Sequence, residues 1–143
     1  MMKAFTILFN DFNCFKYLRK GISDFIKDMV PADSMLVEVV VNEAVNNAIG
    51  HGIDKQVMVR LKIQNNGMLV IRVKDDGKGF SVEETLQKIN HTNKSKAENY
   101  IALKESGRGL YIMQQVMDKV IYNEKGNDVL LVKNINKNCN DNR

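Results

Sequence analysis

Glu43 and Asn47 stand four positions apart in the run Val-Glu-Val-Val-Val-Asn-Glu-Ala-Val-Asn-Asn-Ala-Ile-Gly-His-Gly, residues 37–52. On a helix that spacing projects a carboxylate beside an amide. A carboxylate beside an amide oxygen, on an otherwise apolar helix, suggests a site. The apolar residues around them, Val37, Val40, Val41, Ala44 and Ala48, recur with helical spacing and can share one buried face. Asparagine is a poor helix-interior residue, because its side chain competes for backbone hydrogen bonds. Asn42, Asn46 and Asn47 therefore weaken this helix by propensity. Taken alone, a solvated polar face explains the pattern as well as a site does.

Two glycine clusters lie downstream. Asp75-Asp76-Gly77-Lys78-Gly79-Phe80 follows a strand pattern and precedes a helix pattern. Gly77 and Gly79 let the backbone pass close to a flat ligand. Asp75, at the strand end, can accept a hydrogen bond from an exocyclic amine such as that of adenine. Alone, this cluster reads as an ordinary turn. Ser106-Gly107-Arg108-Gly109-Leu110 stands where a polar segment enters an apolar helix. Backbone N–H groups and the dipole at a helix N-terminus suit phosphate, and Arg108 adds charge. Alone, this is a glycine-rich helix start.

The elements that must position these residues follow from periodicity and punctuation. Residues 4–9 alternate as a strand. Asn10 or Asp11 can cap a helix whose apolar stripe runs from Phe12 through Phe15, Ile22 and Ile26 to Met29. Pro31, the only proline, separates it from the next helix, for which Asp33 or Ser34 offers a cap. That second helix should stop near Gly50-His51-Gly52. Residues 56–64 and 68–73, joined at Asn65-Asn66-Gly67, read as a β-hairpin. Ser81 with Glu84 reads as a capping box for a short helix through about Ile89. Residues 90–106 are polar and weakly patterned, as expected of a lid or a loop. A helix from Leu110 to Met117 and a pair of strands, 119–122 and 128–133, complete the count. Largely antiparallel strands leave helices only one face to cover. The fold class expected is α+β: a two-layer α/β sandwich with helices on one face of a mixed, largely antiparallel sheet. Residues 1–133 should form one domain and 134–143 a polar, disordered tail.

Composition narrows the setting. Of 143 residues, 44% are apolar and 27% charged, ordinary for a globular domain. The net charge is +4, but Lys133, Lys137 and Arg143 oppose only Asp141 in the last segment, so half the excess lies there. That weakens any inference of direct nucleic-acid binding. No run of eighteen apolar residues exists, so no membrane span is expected. Cys14 and Cys139 form neither a disulfide framework nor a metal motif, and a cytoplasmic location is expected.

In combination the three motifs say more. A Glu-x-x-x-Asn helix, then Asp-x-Gly-x-Gly after a hairpin, then a long loop ending in Gly-x-Gly before a helix resembles the GHKL ATPase superfamily, whose members share the Bergerat fold. The resemblance covers about residues 5–133. The wording Asn-Glu-Ala-Val-Asn-Asn-Ala-Ile-Gly-His-Gly is most similar to the anti-sigma-factor serine kinases. The resemblance implies ATP and Mg²⁺ as cofactors, with Asn47 ligating the metal and Glu43 as general base on a serine hydroxyl. It implies that Asp75 reads the adenine amine and that Gly77 and Gly79 shape the adenine pocket. Gly107, Arg108, Gly109 and Leu110 would meet the phosphate side, with Lys94 and Lys96 as lid contacts and His51 near the lid. It further implies a sigma factor and an anti-sigma antagonist as protein partners, and a homodimer.

The chain departs from the family's pattern twice. Gly126-Asn127-Asp128-Val129 stands where a Gly-Thr-Thr-like run is common, and Thr92-Asn93-Lys94-Ser95-Lys96 replaces a Thr-Thr-Lys-Pro-like lid. Two other readings compete: an ATP-binding switch with little turnover, and a detached histidine-kinase-type catalytic domain. Glu43 argues against the first, since a pure binder needs no base. The His-Gly ending and the leading strand and helix argue against the second.

Overall fold

The computed structural model describes residues 3–51, 56–90 and 105–136. The chain runs β1 (Lys3–Phe9), α1 (Phe12–Met29), α2 (Ser34–His51), β2 (Val57–Ile63), β3 (Met68–Asp75), α3 (Val82–Asn90), α4 (Glu105–Val116), β4 (Lys119–Tyr122) and β5 (Asp128–Asn134). The strands form one sheet in the order β1-β2-β3-β5-β4, with every pairing antiparallel. The two-layer α+β arrangement expected from the sequence is the one observed.

Local signals account for the element ends. Asp11 caps α1, its Oδ1 accepting from the Cys14 N–H at 2.9 Å. The Val30 N–H closes the last turn on the Ile26 carbonyl before Pro31 breaks the chain. The Asp33 carbonyl accepts from the Val37 N–H at 3.0 Å and so begins α2. The apolar face read from the sequence is buried in full: Val37, Val40, Val41, Ala44 and Ala48, joined by Val45. The basic residues Lys16, Arg19 and Lys20 of α1 are exposed, and Lys20 pairs with Asp24.

Alternation along the strands decides what faces the helices. In β3, Leu69, Ile71, Val73 and Asp75 are the buried positions. Their partners in register include Val59 on β2 and Val129 on β5, both opposite Val73. The same period of two that builds the core therefore carries the carboxylate of Asp75 inward. Asp75 is the only charged residue among the described residues that is buried.

Several boundaries differ from the expected ones, among them the end of β3, which reaches Asp75 and not Val73. α4 begins at Glu105, so Gly107 and Gly109 lie inside its first turns and not ahead of it. Glycine costs helix propensity, and at Gly109 it permits the close approach to α2 described below. β5 reaches Asn134, and the Ile135 N–H donates to the Gly67 carbonyl at 3.1 Å, which folds the chain back onto the hairpin turn. Residues 137–143 lie outside the described residues.

Candidate functional site

Asp75 anchors one side of the site. Its Oδ1 accepts from the Gly77 N–H at 2.6 Å, which fixes the carboxylate across the start of the glycine loop. The Asp75 N–H donates to the Asn127 carbonyl at 2.9 Å, and Asn127 Nδ2 donates to the Gly77 carbonyl at 3.0 Å. Asn127, in the region of the first departure from the family pattern, thus latches the glycine loop to the β4–β5 turn. That turn is built by Asn123, whose Oδ1 accepts from the N–H groups of Gly126, Asn127 and Asp128 at 2.9, 3.0 and 3.2 Å. The two loops meet backbone to backbone. Gly79 and Gly126 both have positive φ, 71° and 76°. A Cβ on Gly79 would collide with the Lys125 carbonyl, and one on Gly126 with the Phe80 carbonyl.

Glu43 and Asn47 form the opposite side. Both are half-buried on α2 and face α4. A Cβ on Gly109 would stand 2.9 Å from Glu43 Oε2 and 3.5 Å from Asn47 Nδ2. The glycine is what lets the backbone of α4 approach these two side chains. Gly107, Gly109 and Leu110 are buried and Arg108 is half-buried. Asn46 points to solvent and Asn42 is half-buried, so the asparagines of the run do not act as one polar face. Asn47 Nδ2 is buried without a hydrogen-bond partner.

That cavity joins the two sides. It is bounded by Ala44, Asn47, Asp75, Phe80, Tyr122 and Val129, with Gly126 and Asn127 at one end, and has about 10 Å³ of room. Gly77 and Gly79 are not among the residues that line it; they shape the loop behind it. Tyr122 and Phe80 pack edge to face, with ring centroids 5.1 Å apart at 82°. Burial pushes the Tyr122 hydroxyl up to about 12. The Asn47 amide nearby lowers that value, without Nδ2 completing a hydrogen bond, and the charge of Asp75 raises it.

Of the residues singled out from the sequence, Glu43, Asn47, Asp75, Gly107, Arg108, Gly109 and Leu110 gather around α2 and its neighbours. Lys94 and Lys96 lie outside the described residues, as does the lid reading that includes them; His51 ends α2. Phe80, Tyr122 and Asn127 were not singled out for the site's geometry. Tyr122 was within reach, since alternation in β4 puts it on the inward face. Among the described residues no three His, Cys, Asp or Glu side chains come together as a metal-holding group. No described helix is long and apolar enough to cross a membrane.

A family model for the histidine kinase-like ATPase domain matches residues 18–133. An anti-sigma F factor of Geobacillus kaustophilus is 34% identical over 136 residues, covering 87% of this chain and 88% of that protein. One from Anoxybacillus flavithermus is similar to the same extent, 34% over 136 residues with the same shares. A serine-protein kinase RsbW of Staphylococcus epidermidis is 31% identical over 105 residues, 70% of this chain and 65% of the kinase.

Proposed function

From the premise that the chain belongs to the histidine kinase-like ATPase family, we propose that it is an ATP-dependent protein serine kinase acting as an anti-sigma factor. It transfers the γ-phosphoryl group to a serine of a small antagonist protein, and it sequesters a sigma factor. One observation carries the reading at the level of the site. Asn47 lines a cavity with Asp75 on one side and abuts Gly109 on the other, so all three motifs meet at one residue. The names carried by the relatives point the same way.

In this reading the Asp75 carboxylate, held by the Gly77 N–H, accepts a hydrogen bond from the exocyclic amine of adenine. The first turn of α4 supplies backbone N–H groups and Arg108 toward the phosphates. Asn47 fits Mg²⁺ by donor type: its side chain carries a hard amide oxygen and lines the cavity, and phosphate oxygens would supply further ligands. When bound, the ion offsets charge on the phosphates during transfer. Glu43, one helical turn from Asn47, takes the proton from the incoming serine hydroxyl, a contribution of about 10²- to 10⁴-fold. Phosphoryl transfer needs little else from the protein beyond position and charge. We place the reaction in the cytoplasm, where ATP and sigma factors meet, and read the kinase as a homodimer on the resemblance to its subgroup.

The test is incubation with γ-labelled ATP and candidate antagonist proteins. Acid-stable phosphate on serine supports the proposal. Acid-labile phosphate on histidine would assign the chain as a detached histidine-kinase-type domain. ATP binding with no transfer to any candidate would make it a nucleotide-loaded switch.

A further inference from the structure

We infer that Tyr122 sets the room available to the purine, its ring holding the base pocket closed until it turns outward. The inference rests on the nucleotide reading above. Asp75 is the residue placed to meet the base, and Tyr122 lines the same cavity. Yet that cavity has about 10 Å³ of room, enough for one water and far short of the roughly 300–1,000 Å³ of ordinary small-molecule sites. A purine needs more room beside Asp75 than this cavity holds.

Three observations make Tyr122 the group that yields. First, its hydroxyl is weakly held, donating to Met113 Sδ at 3.7 Å; a thioether sulfur is a poor acceptor. Second, Tyr122 is the last residue of β4, a four-residue strand at the sheet edge that pairs with β5. The cavity walls opposite it are fixed: Ala44 and Ala48 on α2 and Val73 on the central strand β3. Third, Tyr122 also borders an open groove of about 710 Å³ between α3 and the β4–β5 turn, which it lines with Val82, Glu83, Leu86, Gln87, Asn123 and Glu124. Rotation about the side-chain bonds can carry the ring from one space to the other. Its apolar body would then lie against Val82 and Leu86.

A ring that must leave before the base can bind taxes affinity by the fraction of open chains. Shortening it removes the tax. The full chain and its Y122V variant are titrated calorimetrically with ATP and with inorganic triphosphate, which has no base. Y122V is expected to bind ATP roughly tenfold more tightly, with triphosphate affinity unchanged, as a tax on the base alone requires. Y122L, measured the same way, replaces Y122V if the valine variant melts below the assay temperature. Equal or weaker ATP binding by the shortened variant would overturn the inference, weaker binding making the ring a platform under the base. A parallel gain for triphosphate would overturn it too, since the effect would not lie at the base. If the parent chain binds no ATP at all, the nucleotide reading falls and this inference with it; if the parent binds and only the gain is missing, the inference alone falls.

Discussion

Gly109→Ala separates the stability of this fold from its chemistry. The residue lies inside α4 with an ordinary helical φ, so alanine brings no backbone strain. Replacing a helix-interior glycine by alanine gains about 0.8–1 kcal/mol of propensity. Against that, the new methyl group would stand 2.9 Å from Glu43 Oε2 and 3.6 Å from Glu43 Cβ. The first contact is too short, but it is with the far end of a flexible side chain, so the carboxylate gives way and not the backbone. The net effect on stability should be near zero or up to about 1 kcal/mol favourable, a melting shift of at most a few degrees. The displaced carboxylate is the proposed base, and a misplacement of about 1 Å can cost roughly 10²-fold in rate. Thermal denaturation and single-turnover transfer from bound ATP read the two effects separately. The expected variant melts at or slightly above the parent, binds ATP and transfers phosphate at a small fraction of the parent rate. Transfer at the parent rate would refute the placing of Glu43 as base. A large loss of stability would refute the claim that this contact can yield.

Asp75→Asn should abolish any preference for ATP over GTP in competition binding; a preserved preference would assign the reading of adenine to another residue. Tyr122 gives a prediction in pH. Its hydroxyl is pushed up to about 12 from 10.0, so the folded chain holds a proton that the unfolded chain has lost between those values. The stability this represents is fully present below pH 10, and it is lost as pH rises through 12. At about 1.4 kcal/mol per tenfold change in proton affinity, it is on the order of 2–3 kcal/mol. Denaturant melts of the parent should therefore fall more steeply with pH in this window than those of Y122F, and identical slopes would mean the hydroxyl is not held neutral by burial.

Elements whose partners lie close in sequence are legible in the sequence. Asp11 caps its own helix, Gly67 closes its own hairpin, and the apolar period of α2 marks its buried face. Asp75 was legible as a strand-end carboxylate; that it faces inward shows only because β3 runs on past Val73 with the same alternation. What escaped depends on contacts between distant segments. Glycine looks like a helix breaker at position 109 until α2 lies alongside. The latch from Asn127 to Gly77 joins residues fifty positions apart, and it is side-chain chemistry that no local pattern encodes. Tyr122 carries an inward-facing signal in its strand, yet a four-residue strand gives alternation little length in which to register.

The central claim is that Glu43 works as a base beside a bound nucleotide. It is tested most directly by Glu43→Ala, assayed in one experiment for ATP binding and for phosphoserine formed on an antagonist protein. The expected variant retains binding, and its transfer falls by about 10²- to 10⁴-fold. Phosphoserine formed by the variant at the parent rate would contradict it.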